Sequence, residues 1–241
     1  MTRVSVAMAV YNGGKYLNEQ MGSIINQLTS DDELIVSDNM STDDSREIIL
    51  SYFKTFPNIK IVECREPGII PNFENAIRNC NGEYIFLADQ DDVWKPSKID
   101  RVLKEFEESE ADLILHNCDY VNENLAPLHK TLFKDRHAKP GFNRNLWYNA
   151  YQGCCMAFKK ELIPLICPIP RDIAMHDQWI GLLVEKTGVV DFLEERLILY
   201  RRHKGSNSAK RVGVAKKHRY ISKMKKEIHN RVEEKSTGNN F

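Results

Sequence analysis

Short apolar runs alternate with helix-like patterns through the first hundred residues. Four runs predict strands that are covered on both faces, at 3–12, 32–39, 59–64 and 82–89. Apolar positions spaced as on one helix face follow the first three runs, at 15–27, 41–56 and 70–80. Strands that alternate with helices through short connections pair in parallel through right-handed crossovers. The pattern therefore predicts an α/β fold with a doubly wound, mostly parallel central sheet flanked by helices.

The second half of the chain has a less regular pattern. It predicts a strand at 111–122, a strand and a helix within 151–166, and a helix from about His176 that ends at Gly188. Residues 129–147 are polar with scattered aromatic positions, and we expect a loop there. Residues 189–203 predict a strand pair, or a strand and a turn. The expected organisation is one domain at 1–208, with halves at 1–100 and 101–208, and a C-terminal helical extension at 209–241.

Composition is that of an ordinary globular protein. The chain is 42% apolar and 28% charged, with a net charge of zero. Its six cysteines lack metal-binding spacing, which favours buried free thiols in a reducing compartment. The apolar run at the N-terminus is too short for a signal sequence, and no run approaches the roughly 20 residues that span a bilayer. We expect a cytoplasmic protein.

Three polar loops follow predicted strands and should meet at one edge of the sheet. They read YNGG at 11–14, SDNMSTDD at 37–44 and ADQDDVW at 88–94. The last contains Asp89, Asp91 and Asp92, and carboxylates this close repel one another unless they are solvated or share a cation. Mg²⁺ and Mn²⁺ are held by such carboxylates together with substrate phosphates. The alternative is a solvated acidic turn that caps a helix starting near Pro96.

Three further polar groups have a functional and a structural interpretation. Asp38 could orient a nucleotide base or ribose, or cap the next helix, although Ser41 and Thr42 are better placed for capping. Asp177, beside His176 at a predicted helix start, could be a general base or an acid favoured by the helix dipole. The basic cluster at 201–204 suits a diphosphate, or His203 could be a metal ligand, or the cluster is a solvated basic loop.

Taken together, these motifs resemble the family 2 glycosyltransferases with the GT-A fold. VSVAMAVYNG, SDNMSTDDS, FLADQDDVW, GCCMAF and MHDQW occur in the order of that family, over roughly residues 1–208. The variants DQDDVW and HDQW look most like bacterial rhamnosyltransferase-type members that build surface polysaccharide. The resemblance implies inverting transfer from a UDP- or dTDP-linked sugar to a hydroxyl of a saccharide, often lipid-linked, acceptor.

The resemblance also implies roles for individual residues. The nucleoside would be bound by Ala9, Tyr11, Asn12 and Asp38, and the ribose and metal-bridged diphosphate by Asp89, Asp91 and Asp92, with Mn²⁺ or Mg²⁺ as cofactor. Asp177 would be the catalytic base. Trp94, Gly153, His176 and Trp179 would shape the acceptor pocket.

Two departures from the family pattern change which residues are expected to bind the diphosphate. Asn39 and Met40 replace an expected Asp and Gly, and Asn72 lies where the family has an Arg or Lys. Diphosphate binding would therefore rest more on the metal and on Arg201, Arg202 or His203.

The C-terminal extension is strongly basic. Residues 209–235 hold ten Lys or Arg against three Glu. Ile221, Met224, Ile228 and Val232 fall on one helical stripe, which suits docking on the inner face of the plasma membrane, packing on the body, or a homo-oligomer contact. Nucleic-acid binding is not expected, because no basic or aromatic platform continues into the body.

Two rival functions remain open at this stage. A sugar-nucleotide nucleotidyltransferase would need a Gly-rich, basic phosphate loop, of which YNGGKY is a poor version. An inactive nucleotide-sugar-binding protein would have no reason to retain Asp38, Asp91 and Asp177 together.

Overall fold

The computed structural model describes residues 2–203 and 213–237. Its strands are β1 (Val4–Val10), β2 (Glu33–Asp38), β3 (Ile59–Glu63), β4 (Tyr84–Ala88), β5 (Val93–Trp94), β6 (Leu113–Val121), β7 (Pro127–Thr131), β8 (Met156–Lys159) and β9 (Val190–Arg201). Its α-helices are α1 (Gly14–Ile25), α2 (Ser45–Ser51), α3 (Ile69–Arg78), α4 (Lys98–Glu108), α5 (Leu132–Arg136), α6 (Phe142–Tyr148), α7 (Ile163–Ile166), α8 (His176–Thr187) and α9 (Val214–Ser236).

The first half follows the predicted alternation of strand and helix. β1 pairs in parallel with β2 and with β4, and β2 pairs in parallel with β3. The seven residues of β1 are all buried, as expected for a strand with helices on both faces. Because the step from β3 to β4 reverses the direction of the steps before it, right-handed crossovers put α3 on the face opposite α1 and α2.

The second half extends the same sheet with mixed pairing. The strand order is β3-β2-β1-β4-β8-β6-β9-β5, with β7 beside β6. β8 runs antiparallel to both β4 and β6, whereas β6 and β9 are parallel. The α/β fold is as predicted, but parallel pairing dominates only in the first half. One continuous sheet runs through both halves, and the cavity described below lies along it.

The prediction of a loop at 129–147 is wrong, because β7, α5 and α6 occupy most of this range. These elements are short and lack a long apolar stripe; tertiary hydrogen bonds hold them. Asn145 donates from Nδ2 to Glu185 Oε1 at 2.8 Å and to the Lys139 carbonyl at 3.0 Å. Such contacts leave no periodic signal in the sequence.

Residues 190–201 form a single strand rather than a strand pair. Irregularities in the pairing of β6 with β9, at His116, Asn117 and Asp119, let the long strand β9 stay paired past its polar centre. Its C-terminal end therefore reaches the edge of the sheet where the first-half loops lie.

The apolar stripe of α9 packs on the body. Met224 and Ile228 are 1% and 2% exposed, and Ile221 and Val232 are partly buried against the core. Arg231 fixes the helix by donating to the carbonyls of Leu165 and Pro168, at 2.6 and 2.8 Å. Of the three partners considered for this stripe, the structure shows the body. Residues 209–212 and 238–241 of the predicted extension lie outside the described residues, as do 204–208 of the predicted domain, including Lys204 of the basic cluster.

No described helix combines the length and the apolar character needed to cross a membrane. All six cysteines are buried and unpaired.

Candidate active site

A cavity of about 860 Å³ opens at the C-terminal ends of β1, β2 and β4. The second half closes it through the start of α8 and the end of β9. Ten of the residues predicted from the sequence line it: Ala9, Tyr11, Asn12, Asn72, Asp89, Asp91, Gly153, His176, Asp177 and His203. Six others do not line it: Asp38, Asp92, Trp94, Trp179, Arg201 and Arg202.

The three polar loops are tied together by hydrogen bonds. Gln90 accepts from the Tyr11 backbone N–H at 2.8 Å and donates to the Tyr11 carbonyl at 3.1 Å. Asn12 has a left-handed backbone, with φ 48°, a conformation that asparagine tolerates. Its N–H donates to Ser41 Oγ at 2.9 Å, and its Oδ1 accepts from the Thr42 N–H at 2.8 Å. These hydrogen bonds hold the loops after β1, β2 and β4 against one another.

Asp38 holds its own loop instead of lining the cavity. It is 5% exposed, and its Oδ1 accepts the Ser41 N–H at 3.0 Å. Asp38 therefore does not line the cavity, which corrects the expected nucleoside contact, and it does not cap α2 either, because that helix begins at Ser45 with Asp44 at its N-cap. The next residue, Asn39, does line the cavity and ties β2 to the segment before α3. It donates to the Cys64 carbonyl at 2.6 Å and accepts the Gly68 N–H at 3.0 Å.

Asn72 presents a polar atom with no partner. Its Nδ2 donates to the Val10 carbonyl at 3.0 Å, while its buried Oδ1 has no hydrogen-bond partner in the part of the chain that the structure describes. Such an acceptor is costly to bury unsatisfied, and it can receive an N–H from a ligand in the cavity. Arg65 lies at the same wall. The sequence analysis missed it, although it follows the third strand and so belongs to the same edge of the sheet.

The carboxylates separate into two groups. Asp89 and Asp91 line the cavity, whereas Asp92 is fully buried beneath them. Burial, followed by the charges of Asp91 and Asp177, raises the pKa of Asp89 to about 7. Oxygens of Asp89 and Asp92 lie within 4.8 Å of the thiol of Cys154 and of each other. Cys154 is a second site neighbour that the sequence pattern did not identify.

Asp92 is a structural anchor, which corrects the expected nucleotide contact. Its Oδ1 accepts the backbone N–H of Arg201 at 2.9 Å. This bond joins the Asp-rich loop to the end of β9, two residues before His203. The arrangement places His203 Nε2 at 2.7 Å from Asp91 Oδ2.

Arg201 and Arg202 do not face the cavity, which corrects their expected role as diphosphate ligands. The Arg201 side chain is 2% exposed and pairs with Glu19. It also donates to the carbonyls of Asp91, at 2.7 Å, and Glu123. Arg202 lies 5.7 and 5.9 Å from the ring centroids of Tyr120 and Tyr200. Both guanidinium groups are engaged in holding neighbouring segments.

His176 and Asp177 face the cavity from the first turn of α8. Asp177 Oδ1 accepts the Gln178 N–H at 2.6 Å and the Asn149 amide at 3.4 Å. The His176 ring stacks on Phe73 at 3.9 Å, and burial lowers its pKa to about 4. A Cβ at Gly153 would lie 2.9 Å from His176 Nε2, so this close approach requires glycine.

The two tryptophans expected in the acceptor pocket lie in the core, which is a further correction. Trp179 is fully buried and donates from Nε1 to the Ile166 carbonyl at 2.9 Å. Trp94 is 2% exposed, with the Lys98 ammonium 3.7 Å from its ring centroid. Lys98 also donates to the Cys154 carbonyl at 2.9 Å, and burial lowers its pKa to about 8.

Comparison with known proteins matches this arrangement to one family. The model of "Glycosyl transferase family 2" matches residues 5–165. The chain belongs to glycosyl transferase family 2. Its solved neighbours have the GT-A fold, with S. aureus TarS (residues 1–349, in complex with UDP-GlcNAc) at a TM-score of 0.70 and 18% identity, covering 92% of this chain and 66% of TarS. PcManGT, a mannosyltransferase of Pyrobaculum calidifontis in complex with GDP-Man and Mn²⁺, has a TM-score of 0.63 and 17% identity, covering 94% and 70%.

Two relatives of this family 2 glycosyltransferase match most of the chain. An uncharacterized glycosyltransferase of Nostoc sp. is 28% identical over 85% of this chain and 66% of its own length. The dTDP-rhamnosyl transferase RfbG of Shigella flexneri is 26% identical over 89% of this chain and 78% of its own length. The chain thus spans about two thirds of the Nostoc relative and of the TarS fragment.

Proposed function

We propose that this family 2 protein transfers a sugar from a nucleotide-diphosphate donor to a hydroxyl of a saccharide acceptor, with inversion at the anomeric carbon. The observation that carries the proposal is the set of side chains that line the cavity at the C-terminal ends of β1, β2 and β4. It holds the Asp91–His203 pair from the loop after β4 and the end of β9, and Asp177 from the start of α8. One cavity therefore offers candidate ligands for a cation that would bind the diphosphate, and a candidate general base.

The donor nucleotide is proposed to lie on the loops after β1 and β2. Tyr11, 57% exposed, offers a ring face on which a base can stack. The unpaired Oδ1 of Asn72 can accept an imide N–H, which uracil and thymine both present. Arg65, whose guanidinium pairs with Glu63 at 2.7 Å, lines the cavity and is the proposed cationic contact in place of the one that the sequence lacks at position 72. These features favour a UDP- or dTDP-linked sugar, and RfbG is named for a dTDP-linked donor.

The residues at the Asp-rich loop fit a divalent cation. Asp91 and His203 offer a carboxylate oxygen and an imidazole nitrogen 2.7 Å apart, and Asp89, which lines the same cavity, offers a further carboxylate. Mixed oxygen and nitrogen ligands suit Mn²⁺ and are also compatible with Mg²⁺. When bound, the ion would neutralise the charge of the diphosphate leaving group. Mn²⁺ is bound in PcManGT.

Asp177 is proposed to accept the proton of the acceptor hydroxyl. The Gln178 N–H and the Asn149 amide hold its Oδ1, which fixes the carboxylate toward the cavity. As the proton moves to Asp177, the acceptor oxygen bonds to C1 of the sugar and the bond from C1 to the diphosphate oxygen breaks. The neighbouring imidazole of His176 stays neutral because of its burial, so it does not form an ion pair with the base. Holding the two reactants in line supplies much of the rate.

Exchange of Asp177 for asparagine tests this proposal. Asp177→Asn should bind nucleotide and Mn²⁺ as the parent does, and lose about 10²–10⁴-fold in transfer rate, the usual contribution of a general base. Transfer from UDP-, dTDP- and GDP-linked sugars would be followed by mass spectrometry, and binding by thermal shift. Asn149→Ala is the matched control, since it removes one hydrogen bond to the base but keeps the carboxylate.

The outcomes separate the alternatives. An Asp177→Asn enzyme with parental transfer would place the base elsewhere. A parent protein that binds no nucleotide would contradict the glycosyltransferase proposal as a whole. Binding without transfer of any sugar would favour an inactive nucleotide-sugar-binding protein. The same screen names the donor, and we propose a role in surface polysaccharide synthesis, with rhamnose as one candidate sugar.

A further inference from the structure

Exposed apolar side chains gather where α6 ends and α9 begins. Trp147, Tyr148 and Val214 are 41%, 69% and 74% exposed. Lys217 Nζ lies 5.3 Å from the Tyr148 ring centroid and 6.0 Å from that of Trp147. The His218 ring meets the Trp147 ring edge-on at 5.1 Å. We call these five residues the junction surface. Tyr11 and Met40, two of the other exposed apolar residues, are accounted for by the cavity.

The junction surface is surrounded by unneutralised positive charge. Residues 214–226 contain six Lys or Arg and no Asp or Glu. Lys216, Lys217 and Arg219 are exposed, and they form no ion pair with any residue in the ranges 2–203 and 213–237. The nearest basic residue further along α9, Lys223, already pairs with Asp172 and Glu227. The first turns of α9 thus keep their charge available for an anionic partner.

We propose that the junction surface docks this protein on an anionic lipid bilayer. Tryptophan and tyrosine favour the depth of lipid head groups, since their rings are apolar and their edges polar. Lysine can extend its ammonium toward lipid phosphates while its methylenes lie along apolar groups. The two features meet here where the end of α6 lies beside the start of α9, with the single Lys217 ammonium near both exposed rings. The apolar stripe of α9 is not the docking element, because Met224 and Ile228 are buried in the body.

Docking through the junction surface would bring the cavity close to the bilayer. Tyr148 directly precedes Asn149, whose amide contacts Asp177 at 3.4 Å. The side of the cavity that contains Asp177 would therefore lie close to the lipid surface. That consequence rests on the proposed function, whereas docking itself does not.

Vesicle flotation with the full chain tests the docking. The parent should float with vesicles of phosphatidylcholine and phosphatidylglycerol, and not with phosphatidylcholine alone. Lys216→Glu/Lys217→Glu should weaken binding at least about 25-fold, since each basic residue near an anionic membrane strengthens binding about fivefold. Lys54→Glu/Lys60→Glu makes the same charge change at the β3 side of the sheet and should float like the parent. Equal binding to both vesicle types, or equal loss in both variants, would overturn the proposal.

Tryptophan fluorescence locates the contact. The chain has three tryptophans, and Trp94 and Trp179 are buried. Lipids with brominated acyl chains should therefore quench Trp147 alone, and Trp147→Phe should abolish the quenching while UDP/Mn²⁺ thermal shift stays parental. Flotation without quenching would place the contact elsewhere.

A labelled RNA at the same salt tests the nucleic-acid alternative. The lipid proposal would be overturned if the parent bound this RNA but did not float with vesicles, and if Lys216→Glu/Lys217→Glu lost the RNA binding. Failure of sugar transfer would leave both readouts intact, so the two proposals fail separately.

Discussion

At the scale of single residues, two adjacent carboxylates have different structural roles. Asp91 and Asp92 are neighbours in the sequence, yet Asp91 lines the cavity while Asp92 is buried and holds the backbone of Arg201. Both residues lie in the short loop between β4 and β5, and this loop turns the Asp91 carboxylate toward the cavity and the Asp92 carboxylate into the interior. A sequence pattern of three carboxylates cannot tell which of them faces solvent.

Removing the Asp92 acceptor should therefore disturb the site indirectly. Asp92→Asn keeps a carbonyl oxygen for the Arg201 N–H and should retain stability and Mn²⁺ binding close to the parent. Asp92→Ala leaves that N–H unsatisfied and should cost about 1–3 kcal/mol in the free energy of unfolding. Urea unfolding and calorimetric Mn²⁺ titration with UDP measure both quantities. Asp91→Asn is the comparison and should lose Mn²⁺ binding without a matching loss of stability. Equal effects of Asp91→Asn and Asp92→Asn on Mn²⁺ would mean that Asp92 is a ligand.

The buried His176 should make stability depend on pH. Burial lowers its pKa from 6.5 to about 4, so between these values the unfolded chain binds a proton that the folded chain does not. Stability from this group is complete above the unfolded pKa and falls as the pH falls through that window, by up to about 1.4 kcal/mol per pH unit. His176→Asn lacks this dependence, so its stability deficit relative to the parent should shrink on acidification. Urea unfolding of both proteins across the window checks this; a constant deficit would mean that His176 titrates normally. Asp89, whose pKa is raised, is present in both proteins, so its contribution to the pH dependence cancels in the difference between their free energies of unfolding.

At the scale of helices and strands, the apolar periodicity of the sequence predicted the elements that have a regular apolar pattern. β1 to β4 and α1 to α3 are found where apolar runs and helical spacing put them, and the loops that follow the strands meet as expected. α5 and α6 were missed because polar side chains such as Asn145 hold them through tertiary hydrogen bonds. Trp94 and Trp179 were misplaced for a related reason. An aromatic residue beside a motif suits a pocket wall and the core equally well, and only packing decides between them.

The docking of α9 gives an element-scale prediction. Met224 and Ile228 are almost fully buried, so Met224→Ala and Ile228→Ala should each destabilise the protein by about 2–4 kcal/mol, the usual cost of such truncations in a core. Lys225→Ala, exposed on the same helix, should stay within about 0.5 kcal/mol of the parent. Urea unfolding followed by circular dichroism measures all three. Parental stability in both core variants would show that α9 does not pack on the body in solution.

At the scale of the whole molecule, the site depends on contacts between the two halves. Asp91 comes from the first half and His203 from the second, and Arg201 bonds to the loop that contains Asp91 and Asp92. The sheet is continuous between them through the pairing of β4 with β8. A ligand that binds Asp91 and His203 together therefore stabilises both halves at once.

Ligand binding should accordingly shift one cooperative transition. At a concentration 100 times its Kd, a nucleotide with Mn²⁺ should add about 2.7 kcal/mol to the stability of the folded state. For a chain of this size that corresponds to a rise in melting temperature of about 5–10 °C. His203→Ala should lose most of the Mn²⁺-dependent part of the rise and keep the part due to nucleotide alone, because Asn72 and Tyr11, the proposed nucleoside contacts, remain in the cavity lining. Scanning calorimetry distinguishes the outcomes. Two separate transitions, of which only one responds to ligand, would mean that the halves unfold independently and that the Asp91–His203 contact does not couple them.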